Sequence, residues 1–359
     1  MRKTPIGQFY AKGAEHMTDF VTGTETERRI KRYLYKRRRI PFSRTEGSII
    51  LLSALLFWFV LKEPIAAALA AREGFSLSVG AVLPSLFPFL VLASLLTESG
   101  LGTRIGRRAS RITEALFGVS GEGAGALFLG LVCGFPIGAR VIMSVYERGT
   151  LSSSEVKRLL PLANGPSFAF LFSAVGSGLF GDRSFGLSLY FSSVAATLLC
   201  GIILRLLFGK CQKTKLCDVR NTPISLPSLF VRVITDAGKA SVTIAAFVVF
   251  FSVLSNALAS LLQSVRAPNA LSLLLSGLLE LSNGTKKAAE TVNGLCGRVL
   301  CGFFAGWGGL CAHLQVIATV ERPLPDRARR KSFSFRSYFL CKILIGLFTA
   351  VFVFLSSML

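Results

Sequence analysis

Apolar runs long enough to cross a bilayer recur along most of this chain, and two of them are interrupted at their centres by glycine, proline and polar residues. A helix needs about 20 apolar residues to cross roughly 30 Å of hydrocarbon. Runs at about 82–99, 159–181, 184–208, 238–263, 298–320 and 337–357 answer to that length, and a shorter one, Ile49 to Leu61, resumes after Lys62-Glu63-Pro64 as far as Ala71. The two interrupted runs are 123–147, broken at Gly134-Phe135-Pro136-Ile137-Gly138, and 270–295, broken at Ser282-Asn283-Gly284. Backbone groups inside hydrocarbon have no water to bond, so breaks of this kind suit hairpins that enter halfway and return. The expected fold class is an all-α polytopic membrane protein with seven spans and two re-entrant helical hairpins.

Composition closes off the other classes. Of 359 residues, 52% are hydrophobic and 17% charged, against roughly 25% charged in soluble chains. Thirty phenylalanines and eight cysteines exclude a disordered chain and a disulfide-stapled miniprotein. The cysteines lie mostly within apolar stretches and form no CxxC pair, which reads as packing and not as a metal site. A net charge of +22 raises nucleic acid as a partner, but the cations flank apolar runs and are not interleaved with stacking aromatics, so no nucleic-acid partner is expected.

Those cations set an orientation instead. With both broken runs re-entrant, segments 1–46, 100–122, 146–158, 209–237 and 321–336 hold 30 Lys and Arg, whereas 62–80, 182–183, 264–269 and 285–298 hold 7. Lys and Arg gather on the cytoplasmic side. The N-terminus, with twelve cations in 46 residues including Lys36-Arg37-Arg38-Arg39, is therefore expected in the cytoplasm. The arm and the patches Arg104-Arg107-Arg108-Arg111 and Arg327-Arg329-Arg330-Lys331 would contact a lipid bilayer with anionic headgroups, at ~1 kcal/mol per cation.

Shifting the chain by 146 residues lays LFLGLVCGFPIGARVIMS (127–144) on LLLSGLLELSNGTKKAAE (273–290), with Gly138 on Gly284 and Arg140 on Lys286. Each hairpin follows one span and precedes a span with a polar, glycine-rich break: Ala163-Asn164-Gly165-Pro166-Ser167 in one half, Gly306-Trp307-Gly308-Gly309 in the other. An odd number of crossings separates corresponding elements, which predicts an inverted structural repeat. The expected organisation is a basic arm (1–46), a first membrane segment with an external loop (47–80), repeat 1 (81–208), a cytoplasmic linker (209–237) and repeat 2 (238–359). Two hairpin tips meeting at the midplane would make a binding site.

Five separated motifs in order, LPSLFPFLVLASLL (83–96), CGFPIGAR (133–140), NGPSFAF with VGSGLFG (164–181), LELSNG (279–284) and GWGGLCAHLQV (306–316), resemble the YlbJ-type sporulation integral membrane proteins, which carry the nucleoside-recognition gate domain. The resemblance covers roughly residues 48–357. It implies a core like that of concentrative nucleoside transporters, residence in the bacterial cell membrane or outer forespore membrane, and movement of dipicolinic acid during endospore formation.

Candidate binding residues follow from chemistry. Arg140 and Lys286, at matching positions after the two turns, could hold a small-molecule anion; Arg presents a planar fork that matches a carboxylate, and an ionisable group in a membrane segment is expensive enough to suggest function. Lys286, beside Lys287, could instead face water. Glu280, just before the second tip, could coordinate a cation, take a proton or pair with a cation of the chain. Asn164, Ser167, Ser282 and Asn283 offer neutral donors and acceptors at the breaks, or could simply satisfy broken helix ends. Phe135, beside Pro136, and Trp307 could stack on an aromatic ring. His313 could move a proton or sit as a bonded core histidine, with Gln315, two residues on, facing elsewhere; His16 would be solvated.

No nucleophile elbow, HExxH or phosphate-loop lysine is present, and Gly121, Gly123 and Gly125 lack the preceding strand of a dinucleotide fingerprint, so no enzyme activity and no cofactor are expected. The leading expectation is transport of a small anionic aromatic metabolite by alternating access. Transport of a nucleoside or other small solute, and a non-transporting membrane assembly factor, are the alternatives. A coupling cation or proton and a homo-oligomer stay open.

Overall fold

The computed structural model describes residues 44–212, 225–321 and 335–358. His16, nearly all of the basic arm, the patch Arg327-Arg329-Arg330-Lys331 and part of the linker lie outside the described residues. The chain divides into two compact units, Met1–Phe57 and Trp58–Leu359. Within the first, the described residues are helical from Arg44 onward, the start of α1 (Arg44–Lys62).

The second unit holds everything else, and no strand occurs among the described residues. After Lys62 come α2 (Pro64–Leu77), a π-wound turn (Ser78–Val82) and α3 (Leu83–Glu98). The expected external loop within 62–80 is thus helical. The reason is packing: Gly74 brings α2 against Ser252 and Val249 of a later long helix, where a Cβ would sit 2.8–2.9 Å from them, so Arg72 and Glu73 ride on the free side of a packed helix. Short helices α4 (Leu101–Arg108) and α5 (Ser110–Leu116) follow where sequence suggested a loop. They are held because glycines fit backbone to backbone: a Cβ on Gly106 would fall 2.1 Å from the Gly121 carbonyl oxygen.

Next come α6 (Gly121–Cys133) and α7 (Ile137–Glu147), then α8 (Ser153–Leu162), the π-wound stretch Phe170–Leu179 and α9 (Arg183–Phe208). Local signals set these starts. Ser120 accepts from the Gly123 amide, Ser152 and Glu155 form a capping box, and Asp182 accepts from the Phe185 amide at 3.0 Å. Glu155 also receives the Ser120 amide at 2.8 Å, joining two helix starts through one buried carboxylate.

The remaining helices are α10 (Leu226–Ser264), α11 (Asn269–Leu279), α12 (Leu281–Thr291), α13 (Gly294–Trp307), α14 (Gly309–Glu321) and α15 (Phe335–Ser356). Helix α10 starts twelve residues before the expected span, with Pro227 in its first turn and no breaker until Ser264, so the polar Arg232 and Asp236 belong to a helical extension and not to a linker.

Among the described residues, four helices are long and apolar enough to cross a membrane: Arg183–Phe208, Leu226–Ser264, Gly294–Glu321 and Phe335–Ser356. The number rises to six if two bent pairs each count as one span. The expected seven spans are not all met, because 159–181 is split by the break at Ala163–Ser167 and α3 alone has 16 residues. Three of the four spans bury about a third of their residues, and Leu206, Phe208, Phe191 and Val242 lie open, as lipid-facing surfaces would. The fourth, α13–α14, is 72% buried and occupies the middle of the unit.

Both expected chain reversals are present. Lys287 Nζ on α12 donates to Ser276 Oγ on α11 at 2.8 Å, and a Cβ on Gly284 would fall 2.1 Å from the Gly277 Cα. A continuous helix would separate 276 and 287 by about 16 Å at 1.5 Å per residue, so the two helices run back along each other. In the first half, Gly130 on α6 and Gly138 on α7 both press on Ala163.

Candidate functional site

Four breaks in helical structure shape the site: the turn between α6 and α7, the non-helical stretch after α8, the turn between α11 and α12, and the kink between α13 and α14. Each arises from residues that cannot extend a helix. Gly134 has φ +77°, and Gly308 and Gly309 have φ +91° and +82°, values that side chains other than glycine's rarely adopt. Glu280 leaves the helical region with φ −146°, ψ 126° and caps α12, its Oε2 accepting from the Asn283 amide at 2.7 Å.

Each turn docks on the break of its own half. The Phe135 amide donates to the Gly165 carbonyl at 2.8 Å, and Gly134 fits where a Cβ would be 2.5 Å from the Ser167 nitrogen. In the second half Gly309 lies where a Cβ would be 2.9 Å from the Leu281 nitrogen, and Trp307 Nε1 donates to the Leu278 carbonyl at 3.0 Å. The orphan backbone groups of one break therefore meet those of its neighbour, which is how non-helical chain survives inside an apolar body.

All four breaks line one narrow, partly open cavity of about 30 Å³. Phe135 and Pro136 reach it from the first turn, Pro166 and Ser167 from the first break, Glu280, Leu281 and Ser282 from the second turn, and Gly308 with Cys311, Ala312 and Gln315 from the kink. Val82, Leu86, Phe170, Ile244 and Val248 complete apolar walls. One helix ends and another begins at each break, the new ones at Ile137, Phe168, Leu281 and Gly309, so negative and positive dipole ends both gather here. The Glu280 carboxylate, 4% exposed, already occupies one of the positive ends.

Two further cavities continue from this one. A space of about 60 Å³ shares Pro136, Ile244 and Gln315 with it, and a larger one of about 500 Å³ shares Arg140 and Thr319 with that space. The larger one is lined also by Glu98, Glu147, Asp236 and Lys239. Glu98 is ion-paired with Arg232 at its edge.

The sequence candidates thus fall into separate places. Phe135, Pro136, Ser167, Glu280 and Ser282 share the central cavity. Arg140 stands one helical turn beyond Pro136, in the two adjoining cavities. Asn164 is buried behind the wall: its Oδ1 accepts from the Ala139 amide at 2.9 Å and its Nδ2 donates to the Leu160 carbonyl at 2.7 Å. Asn283 Nδ2 donates to Ser252 Oγ at 3.0 Å. Lys286 is away from the cavity, paired with Glu73 of α2, because the turn preceding α12 swings its position to the outer side of the hairpin. The sequence match of Arg140 with Lys286 therefore does not carry over to shared surroundings.

Trp307 and His313 pack edge to face at 4.3 Å, and His313 Nδ1 meets the Tyr338 hydroxyl at 3.0 Å on α15. Gln315 does face elsewhere than His313, as expected, but it is Gln315 that faces the cavity. The kink at Gly308 restarts the helix, so Cys311, Ala312 and Gln315 share the inner face and His313 turns back toward α15.

Three contributors escaped sequence reading. Cys311 and Gln315 carry no local signal beyond helical spacing. Lys342, 1% exposed in the middle of α15, donates from Nζ to the Asn164 main-chain carbonyl at 2.9 Å. A lone lysine in an apolar run reads as one that reaches for the interface, and its partner lies 178 residues away.

Comparison with known proteins finds a likeness along most of the chain. No family model matches, and no solved structure matches. The sporulation integral membrane protein YlbJ of Bacillus subtilis (strain 168) is 28% identical over 344 aligned residues, covering 85% of this chain and 82% of that protein. That similarity supports the assignment of this chain to the YlbJ-type sporulation integral membrane proteins.

Proposed function

We propose that the chain is a membrane transporter for a small anionic aromatic metabolite, dipicolinate in a sporulating cell, and that the central cavity is its binding site. The observation that carries this is the convergence of both turns and both helix breaks on one cavity. Apolar walls from Phe135, Phe170, Leu86 and Val248 suit the faces of a ring, and four helix starts suit carboxylates at its edge. Ser167, Ser282 and Gln315 supply neutral donors.

The order of elements supports an inverted repeat: a helix, a hairpin, a broken helix and a long helix recur as α3, α6–α7, α8 to Leu179 and α9, with α4 and α5 inserted after α3, then as α10, α11–α12, α13–α14 and α15. The 146-residue shift lays Cys133 on Leu279, the last residues of α6 and α11. In this reading the larger cavity is a cytoplasmic vestibule and Arg140 a gatepost through which an anion passes. Movement of one hairpin pair against the other would open the opposite side.

Purified protein in liposomes is expected to take up radiolabelled dipicolinate, and Arg140→Ala to slow the initial rate by about tenfold, ~1.4 kcal/mol for one charge-assisted contact. An unchanged rate removes Arg140 from the path. A nucleoside is the second reading, favoured by the Glu280 carboxylate in the wall, to which hydroxyls could donate. Excess unlabelled uridine abolishing dipicolinate uptake, with uridine itself carried faster, would select it.

A further inference from the structure

We infer that the Lys342 ammonium is a tethered cation that takes the place of a free coupling ion, so that the transport cycle proposed above, on which this inference rests, uses no sodium. Transporters with interrupted helices hold coupling cations on the carbonyl oxygens of unwound backbone. Here α8 ends at Leu162 with Ala163 as its cap, leaving last-turn carbonyls without helical partners. The Asn164 carbonyl, two residues past that helix end, receives Lys342 Nζ at 2.9 Å.

The position belongs to both halves. Asn164 Oδ1 is bonded to the Ala139 amide of the first hairpin. Lys342 Cε lies 3.9 Å from the point where a Cβ on Gly308 would sit, at the second kink, and His313 Cε1 lies equally close to that point. One ammonium thus stands between the two broken helices and is linked through Asn164 to a hairpin.

Reaching for the interface does not explain it, because the side chain is 1% exposed and its nitrogen turns inward. A structural ion pair does not explain it either: among the described residues no carboxylate lies within ion-pair distance of Lys342. The ionisable neighbours that face it are Cys200 from α9, Cys341 on its own helix and His313 from α14. Bare burial of an ammonium in such surroundings is costly, and what offsets it is the Asn164 carbonyl just past the negative end of α8, the same chemistry that would hold an inorganic cation.

Thermal unfolding of the full chain in detergent, in sodium, ammonium or choline chloride at equal ionic strength, reads this without any transport assay. The wild-type melting temperature is expected to be the same in all three salts. Lys342→Ala is expected to melt lower and to recover with ammonium or sodium but not with choline, a cation-specific rescue that loss of packing alone would not give. Lys342→Arg keeps the charge and is expected to stay folded where Lys342→Met does not or melts lower. Stabilisation of the wild type by sodium over choline would overturn the inference, as would equal behaviour of the Arg and Met variants or an Ala variant that no small cation restores. Failure of dipicolinate uptake leaves these melting data standing and counts against the transport reading alone.

Discussion

Glu280 is the residue whose chemistry divides the readings of the cavity. Its carboxylate caps α12, with Oε2 on the Asn283 amide, while the residue also lines the central cavity. Charge at a helix start is worth about 0.3–1 kcal/mol, so Glu280→Gln should lower the melting temperature only slightly. Its effect on ligand should be larger. With the charge gone, a dianion no longer meets a like charge in the wall, and dipicolinate is expected to bind about tenfold tighter by isothermal titration. Weaker dipicolinate binding would mean that Glu280 holds the solute or a co-transported cation. Serine, asparagine and glutamate at the turns were readable as candidates because glycine and proline beside them announce a break. Which of them face inward was not readable: Asn164 and Asn283 spend their amides on Ala139, Leu160 and Ser252, contacts fixed by segments far along the chain.

At the scale of elements, the hairpins depend on glycines that let backbones touch. A Cβ on Gly138 would lie 1.8 Å from the Ala163 carbonyl oxygen, and neither α7 nor the first break can retreat, since Phe135 and Asn164 bond across the same contact. Gly138→Ala is therefore expected to cost about 3 kcal/mol or more, in the range of overpacked cores, seen as a large drop in melting temperature. Gly149→Ala, with open space about it but φ +74°, should cost only about 1 kcal/mol. On the opposite side, Asp182 caps α9 and pairs with Arg298 of α13 at 2.9 Å, and the Arg298 guanidinium lies 4.9 Å from the Phe185 ring. The Phe185 amide first, and then Arg298, hold the Asp182 carboxyl below the usual carboxylate range. A carboxyl lowered on folding stabilises the fold above its unfolded value near 3.8, and that contribution is lost as pH falls through its folded value. Melting temperature measured from pH 6 downward should fall less steeply in Asp182→Asn than in wild type once acid reaches that range; parallel curves would remove Asp182 from the acid response. The breaks themselves were legible because Gly134, Pro136 and Gly308-Gly309 act locally. The helices α4 and α5 were not, since their stability comes from tertiary packing at Gly102 and Gly106 and not from any apolar run, and of α2 only the stretch to Ala71 was.

Across the whole molecule, orientation is the property on which an inverted repeat stands or falls. The cation count assigns the linker after α9 to the cytoplasm and the end of the second hairpin to the outside. Two native thiols report on those places: Cys211, half-buried, follows α9, and Cys296, exposed, opens α13. Variants keeping only one or the other, labelled with a membrane-impermeant maleimide in sealed vesicles of known sidedness, should react from opposite faces. Cys211 should modify from inside and more slowly, because its thiol is partly buried beside Arg158 and burial raises its pKa above the ordinary thiol value, leaving less thiolate. Modification of both from one face would place an even number of crossings between them. The two halves would then run parallel, and the breaks, though gathered about one cavity, could not open it alternately by exchanging the roles of the hairpins.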